Sequence, residues 1–186
     1  MLQPIKISLL GEAAAGKTSL VERYNKGAFD DEISSTIGSS FVRHEIQVEG
    51  KSYRLEFWDT AGSEKYHATI PTILRSTNGI LLLFDLTSEN SFNKVNYWVD
   101  FLNQHIPPKT PIFLIGNKTD LERVIDKEKG ESKAKEIGAI GYYETSAKTG
   151  DGVDALLMAI IENATNEEVQ PLPAQPVETE TKKSCC

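Results

Sequence analysis

Cysteine is scarce in this chain, and its position is unusual. The only two cysteines, Cys185 and Cys186, are the last two residues. None is left for a disulfide or a thiolate metal site in the body of the chain, so the composition fits a reducing compartment. We therefore expect a cytoplasmic protein whose fold depends on its core and not on covalent cross-links.

Long apolar runs are lacking as well. The run at residues 80–84, like every other apolar run in the chain, is far short of the roughly 20 residues of a membrane-spanning helix. The N-terminal residues pass directly into a strand-like segment at residues 5–10, which is too early for a signal peptide, and we expect none.

Basic clusters are the third absence. The chain has 20 Lys and Arg residues against 27 Asp and Glu, which gives a formal net charge of −7. No cluster of lysine and arginine marks a surface for the phosphate backbone of a nucleic acid. We expect no nucleic-acid partner.

The body of the chain has the composition of an ordinary globular protein, and it is followed by a tail of different composition. Of the 186 residues, 39% are hydrophobic and 25% charged, which is typical of one compact domain. We predict a folded domain over residues 1–165 and a flexible tail over residues 166–186. Residues 169–184 contain three prolines, alternating Glu and Thr and few apolar side chains, a composition that cannot bury enough surface to fold.

Two terminal cysteines on such a tail indicate lipid attachment. A thiol at a flexible end is accessible, and two lipid chains anchor a protein stably where one chain is marginal. Lys182 and Lys183 are the only basic residues of the tail. We therefore expect lipid, and not charge, to supply most of the membrane affinity.

A phosphate-binding loop follows the first predicted strand. Residues 11–18 have the sequence GEAAAGKT, which fits G-x-x-x-x-G-K-[ST]. Its glycines let backbone N–H groups surround phosphate oxygens, Lys17 reaches the β- and γ-phosphates, and the Thr18 hydroxyl binds Mg²⁺. The candidate nucleotide-binding residues here are Glu12, Ala13, Ala14, Ala15, Gly16, Lys17, Thr18 and Ser19.

A second motif, NKTD at residues 117–120, indicates which nucleotide binds. The Asp120 carboxylate can accept hydrogen bonds from both N1–H and the 2-amino group of guanine, whereas adenine offers neither donor. Asn117 can contact the base on its other edge. We therefore predict guanine nucleotide, and Asp120 argues against the alternative of an ATP-using P-loop kinase.

A carboxylate for the metal is predicted at the end of an apolar strand. Residues 55–62 are LEFWDTAG, which places Asp59 as a Walker B residue near Mg²⁺ and lets the Gly62 N–H approach a γ-phosphate. Thr36, in the polar segment 34–38, supplies a hydroxyl that completes the Mg²⁺ shell only when a γ-phosphate is present. Such a contact makes the loop a switch that triphosphate orders and hydrolysis releases.

Strand-like and helix-like segments alternate along the chain. Period-two patterns at residues 40–49 and 52–58 predict a hairpin. Further strands are predicted at residues 5–10, 79–85, 111–116 and 141–145, and helices at residues 18–24, 91–104, 127–138 and 151–164. The pattern predicts an α/β P-loop NTPase fold: a six-stranded, mostly parallel sheet with one antiparallel hairpin strand and helices on both faces.

The motifs GEAAAGKT, STIG, WDTAG, NKTD and ETSAK together resemble the five guanine-nucleotide boxes of small GTPases of the Ras superfamily. They lie in the family's order, and the resemblance covers residues 5 to about 165. TIGSSF, RLEFWDTAG and the Cys-Cys end resemble the switch I, interswitch and doubly geranylgeranylated terminus of the Rab family. GEAAAGK, TIGSSF and EKYHATIP resemble its early-endosomal subgroup.

The resemblance implies further residues of the base site. Phe29 would pack edge-on against guanine, and the stems of Lys118 and Lys148 would hold base and sugar between them. Ser146 and Ala147, together with Lys148, would bring a backbone N–H to guanine O6.

The resemblance also implies partners. These are guanine nucleotide, an exchange factor, a TBC-type GTPase-activating protein, Rab escort and GDI proteins, and effectors. The effector surface would comprise Phe41, Trp58 and Ile73, although the family usually has an aromatic residue at the third position. Geranylgeranyl groups on Cys185 and Cys186 would bring a monomer from the cytoplasm onto the cytosolic face of endosomal or other vesicle membranes.

Ser63 departs from the family pattern. After WDTAG the family has a glutamine that orients the attacking water, and serine lacks its reach. The catalytic candidates are Lys17, Thr36, Gly62 and Ser63. Two interpretations remain: a GTP/GDP switch of vesicle and endosomal trafficking with slow GTP hydrolysis, or a hydrolysis-deficient GTP-binding module controlled mainly by nucleotide exchange.

Overall fold

The computed structural model describes residues 4–29, 39–60 and 70–166. Within them the strands are β1 Ile5–Gly11, β2 Ser39–Val48, β3 Lys51–Thr60, β4 Gly79–Asp85, β5 Ile112–Asn117 and β6 Gly141–Thr145. The helices are α1 Lys17–Lys26, α2 Ile70–Leu74, α3 Glu89–His105, α4 Lys127–Glu136 and α5 Val153–Asn166. None of the helices in these ranges is long and apolar enough to cross a membrane.

The strands form one six-stranded sheet in the order β2-β3-β1-β4-β5-β6. β2 pairs antiparallel with β3, and the other pairings among the described strands are parallel. Parallel neighbours need a crossover connection, which the intervening helices supply. The predicted six-stranded, mostly parallel sheet is confirmed.

Side chains of β4 alternate between the two faces of the sheet, and helices cover both faces. Leu81 and Leu83 belong to a core cluster with residues of α1 and α5. Leu82 and Phe84 belong to a second cluster with residues of α3. Burial on both faces explains why this strand is a continuous apolar run.

The hairpin between β2 and β3 turns at Glu49 and Gly50, whose φ angles are 50° and 76°. Positive φ at both central residues matches the right-handed twist of the flanking strands. The register places Phe41 opposite Trp58. The predicted hairpin is confirmed, with β2 shifted by one residue from the predicted 40–49 and β3 three residues longer than the predicted 52–58.

Most helix ends differ from the predicted bounds by one or two residues, and two of the helix starts show a local reason. α3 begins at Glu89 because the Ser88 hydroxyl accepts a hydrogen bond from the Ser91 N–H and caps the helix. α5 begins only at Val153, since Gly152 has a φ of 71°, outside the helical region.

α2 and α4 contribute to the cluster on the α3 face. α2 was not predicted, because its five residues are too few to show helical periodicity. Its buried residues are Ile70, Ile73 and Leu74. α4 ends at Glu136, and Gly138 follows with a φ of 68°, as expected for a helix closed by glycine.

Candidate nucleotide-binding site

Four strands bring the candidate residues to one edge of the sheet. The register pairs Leu9 of β1 with Asp59 of β3, and Asn117 of β5 with Thr145 of β6. The carboxyl ends of parallel strands meet at the same edge. The loop after β1, the end of β3 and the NKTD segment after β5 therefore converge.

The loop between β1 and α1 requires glycine at two positions. Gly11 has a φ of 138°, and a Cβ there would lie 2.1 Å from the Leu83 carbonyl oxygen. Gly16 has a φ of 92°, and its Cβ would lie 2.1 Å from Nδ2 of Asn117. Side chains are excluded because the backbone passes close to its neighbours, as a phosphate-binding loop requires.

Lys17 is held at the centre of this loop. Its side chain is 5% exposed, and Nζ donates to the carbonyl oxygens of Gly11 at 2.8 Å and Glu12 at 2.9 Å. Burial lowers the pKa of Lys17 to about 8, although the carboxylates of Asp59 and Glu12 act in the opposite direction. The loop thus surrounds a cation that has lost most of its hydration.

The candidate metal ligands Thr18 and Asp59 are in contact. The Thr18 hydroxyl donates to Oδ2 of Asp59 at 2.7 Å. Next to Asp59, the Thr60 hydroxyl donates to the Leu9 carbonyl oxygen at 2.7 Å and ties β3 to β1. A hydroxyl and a carboxylate are the hard oxygen donors that Mg²⁺ prefers, so the residues present fit this ion.

Asn117 connects the phosphate loop with the last motif. It is 1% exposed. Its Nδ2 donates to the Ala15 carbonyl oxygen at 2.9 Å, and its Oδ1 accepts from the Thr145 hydroxyl at 3.1 Å and the Ala147 N–H at 3.3 Å. The structure shows this side chain as the link between the two loops, and its predicted contact with the edge of the base stays a prediction.

Asp120 and the ETSAK segment are also brought together. The Ser146 hydroxyl donates to Oδ1 of Asp120 at 2.6 Å and accepts from the Thr149 N–H at 3.0 Å. Asp120 is exposed. Its carboxylate is therefore held in place at a surface that a ligand can reach.

Lys118 has a partner that the sequence analysis did not single out. Its Nζ donates to Oδ2 of Asp85, at the end of β4, at 2.6 Å. Burial acts to raise the pKa of Asp85, but hydrogen bonds from Lys118 and Thr87 outweigh it and lower the pKa below its ordinary value. The sequence did contain a signal for Asp85, because this carboxylate ends the predicted strand at residues 79–85, whose carboxyl end lies at the same edge of the sheet.

Lys148 and Phe29, implied by resemblance alone, lie near each other. Nζ of Lys148 is 5.9 Å from the centroid of the Phe29 ring. The two segments expected to flank the base therefore approach one another.

The three candidate effector residues have different surroundings. Phe41 is 43% exposed, and its ring centroid is 5.1 Å from that of Trp58. Ile73 is 7% exposed within α2, so it offers little surface of its own. Thr36, Gly62 and Ser63 lie outside the described residues, as do Cys185 and Cys186.

Together, this fold and this site define a P-loop GTPase. A model of the Ras family matches residues 6–166. Ras-related protein Rab-21 of Homo sapiens is 41% identical over 155 residues, which cover 82% of this chain and 68% of the relative. Rab-21 proteins of Bos taurus and Geodia cydonium are 41% and 40% identical over 155 residues, covering 82% of this chain and 69% and 67% of those relatives. The chain belongs to the Ras family, within its Rab branch.

Membership of this family gives the general function. The protein is a Rab GTPase that binds GTP and GDP, acts with regulators and effectors, cycles on vesicle membranes and regulates membrane trafficking. The match confirms the predicted resemblance and favours the switch over the hydrolysis-deficient module. It also leaves no support for an ATP-using kinase.

Proposed function

We propose that guanine nucleotide binds along the carboxyl edge of the sheet, with its phosphates in the loop at residues 11–18 and its base near the NKTD and ETSAK segments. The observation that carries this proposal is Asn117, which bonds the Ala15 carbonyl oxygen at 2.9 Å and lies 3.3 Å from the Ala147 nitrogen. One buried side chain therefore joins the two ends of a single site.

A competition assay on the full chain tests this placement. GDP should displace a fluorescent GDP analogue, whereas ADP, which lacks the donors that Asp120 would accept, should not compete at similar concentrations. Equal displacement by ADP would contradict the assignment of Asp120 to the base.

At the phosphate end, Lys17 would supply the cation and the backbone of residues 12–19 the N–H donors. α1 begins after Gly16, and no described side chain caps its N-terminus. At a helix N-terminus of this kind, backbone N–H groups would bind phosphate oxygens, and the helix dipole would also favour their negative charge.

Thr18 and Asp59 would hold Mg²⁺, and Thr36 would join them when a γ-phosphate is present. The hydrogen bond of 2.7 Å between Thr18 and Asp59 supports this set, because it places two oxygen ligands side by side. When bound, the ion supplies positive charge to the β- and γ-phosphate oxygens.

At the base end, Asp120 would accept both guanine donors. Phe29, Lys118 and Lys148 would pack against base and sugar, and the segment from Ser146 to Lys148 would present an N–H to O6. The bond of 2.6 Å between Ser146 and Asp120 supports the shared role of the two motifs.

Hydrolysis is proposed to be slow. Gly62 and Thr36 would contact the γ-phosphate side, and Ser63 would stand where a glutamine normally orients the attacking water. Positioning is most of what such a protein contributes to phosphoryl transfer. Without the longer carboxamide, water is less well oriented, so the GTP state persists between encounters with an activating protein.

We expect Ser63→Gln to raise the intrinsic rate of GTP hydrolysis about tenfold, which is roughly 1.4 kcal/mol of barrier. The affinity for GDP should change little, because this side chain would face the γ-phosphate. Single-turnover phosphate release from the GTP-loaded protein measures the rate. Ser63→Ala is the matched control, and it should remain at the wild-type rate.

If wild type and Ser63→Gln hydrolyse GTP at the same rate, another group or water alone sets the step. A TBC-type activating protein should still stimulate GTP hydrolysis by the wild type. The resemblance to the Rab family implies that such a protein inserts both an arginine and a glutamine into the site in trans.

Lipid anchoring and partner binding complete the proposed function. Geranylgeranyl groups on Cys185 and Cys186 would hold the domain, through the tail at residues 166–186, on endosomal or other vesicle membranes. Escort and GDI proteins would carry the lipidated form. Phe41, Trp58 and Ile73 would contact effectors in the GTP state.

A further inference from the structure

Arg23, in the last turn of α1, hydrogen-bonds three backbone carbonyls that lie outside that helix. Its Nε donates to the Ala147 oxygen at 2.8 Å, and one terminal nitrogen donates to the Gly27 oxygen at 2.8 Å. The other terminal nitrogen donates to the Lys148 oxygen. Each guanidinium nitrogen thus has its own acceptor, an arrangement that the single ammonium of lysine cannot reproduce.

The three carbonyls belong to two segments that flank the proposed base site. Ala147 and Lys148 are in the ETSAK segment. Gly27 closes α1 with a φ of 64° and begins the short turn to Phe29. Since Nζ of Lys148 lies 5.9 Å from the Phe29 ring, Arg23 bridges both segments where they approach each other.

These bonds also orient the N–H groups of the ETSAK segment. In a trans peptide the C=O and the following N–H point in opposite directions. Arg23 binds the Ala147 carbonyl oxygen from the α1 side and so directs the Lys148 N–H away from α1. The rest of the segment is held by the Ser146 N–H, which donates to the Asp151 carbonyl oxygen at 2.9 Å.

We propose that Arg23 is a positioning residue for guanine, which closes the base end of the site and slows nucleotide dissociation. It would act through the two segments whose carbonyl oxygens it binds, and not by direct contact with base or phosphate. The inference rests on the proposed nucleotide site.

The test compares dissociation of a fluorescent GDP analogue from the full chain in the presence of Mg²⁺. Arg23→Met, which removes three charge-assisted hydrogen bonds, should dissociate about tenfold faster than wild type. Arg23→Lys, which keeps the positive charge but loses the branched guanidinium group, should have an intermediate dissociation rate. Lys26→Met is the control for charge in the same turn; Lys26 is 58% exposed and pairs with Glu22 at 2.6 Å. The dissociation rate of Lys26→Met should stay within about twofold of that of the wild type.

A second measurement separates positioning from general loss of structure. The diphosphates of guanosine and of 6-thioguanosine differ in the acceptor at position 6, where sulfur is a weaker hydrogen-bond acceptor than oxygen, and both keep the N1–H and the 2-amino group. Arg23→Met should lower the preference for GDP over this analogue, and Arg23→Lys should partly restore it. A loss of fold alone would accelerate both ligands equally and leave the ratio unchanged.

Three results would overturn the inference: an Arg23→Met rate within twofold of wild type, an equal acceleration in Lys26→Met, or an unchanged ratio between the two diphosphates. A wild-type chain that fails to bind GDP would instead remove the proposed site, and this inference with it.

Discussion

At the residue scale, Lys17 shows how its surroundings alter an ordinary side chain. It is 5% exposed and donates to two carbonyl oxygens. Loss of hydration disfavours its charged form, and its pKa falls to about 8. Bound phosphates would favour the charged form and raise the pKa again. Nucleotide binding and protonation of Lys17 are therefore linked.

We expect GDP binding to take up protons above neutral pH. With a pKa of about 8, free Lys17 is about one-quarter neutral at pH 7.5 and about three-quarters neutral at pH 8.5, whereas the bound form stays charged. Because binding requires the proton, affinity should fall as pH rises through this window. Calorimetry in two buffers with different ionisation enthalpies measures the uptake at each pH.

Lys6 offers the control for this measurement. Burial lowers its pKa too, but its Nζ donates to the Arg75 carbonyl oxygen at 2.9 Å, at the opposite end of β1 from the phosphate loop. Lys6→Met should leave the proton uptake unchanged. If the wild type takes up the same number of protons on GDP binding at pH 7.5 and at pH 8.5, the protonation of Lys17 is not linked to binding.

At the element scale, the approach of α4 to the sheet depends on the absence of a side chain. A Cβ on Gly130 would lie 2.2 Å from Cζ of Tyr142. The Tyr142 ring cannot move away from α4, because its other side packs closely on Gly116 of β5. A Cβ on Gly116 would lie only 2.6 Å from the Tyr142 hydroxyl oxygen. That hydroxyl also donates to Glu144 at 2.9 Å. Glycine at position 130 lets the helix pack directly on the aromatic ring.

Overpacking by Gly130→Ala should cost about 1–3 kcal/mol. Alanine should return about 1 kcal/mol of helix propensity, so we expect a net loss of stability of up to about 2 kcal/mol. Urea unfolding at one fixed GDP concentration measures the difference, since bound nucleotide adds its own stabilisation.

The same substitution in a Tyr142→Ala background separates the two effects. Without the ring, the clash is gone and helix propensity should make Gly130→Ala neutral or stabilising. An equal loss of stability in both backgrounds would exclude the ring as the cause.

At the scale of the whole molecule, the proposed anchor is separated in sequence from the residues of the nucleotide site. The site residues in the described ranges belong to the edge of one sheet, and the last described helix, α5, ends at Asn166. The tail beyond it lies outside the described residues. By composition it contributes nothing to the core, so its removal should not disturb the site.

Deletion of Cys185 and Cys186 should leave GDP affinity unchanged and move the protein from membranes to the soluble fraction of cells. Changing one of the two cysteines to serine should give partial, reversible association, because one lipid chain is marginal. Membrane fractionation and nucleotide titration of the same preparations measure both properties.

Replacement of Lys182 and Lys183 by alanine controls for electrostatics. Two basic residues contribute only about 1 kcal/mol each at an anionic surface, so this variant should largely remain on membranes. Persistence of the double-cysteine deletion on membranes would place the anchor elsewhere in the chain.

The sequence by itself determined the chemistry of short segments and the class of fold. The loop GEAAAGKT requires glycine at residues 11 and 16 because the backbone there has positive φ, and this local demand is visible in the motif. The alternation of apolar runs with helical periodicity determined a doubly wound sheet, since burial of each face sets the pattern of each strand and helix. The order of the motifs likewise indicated guanine nucleotide.

Only the tertiary structure decided which partners the site residues have. Asn117 bonds Ala15, 102 residues away along the chain, and Arg23 bonds Ala147, 124 residues away. Such pairs arise where separate strands and loops meet at one edge of the sheet, and no local pattern encodes them. The same holds for burial of Ile73, because α2 is too short to reveal by periodicity which of its side chains pack against the core.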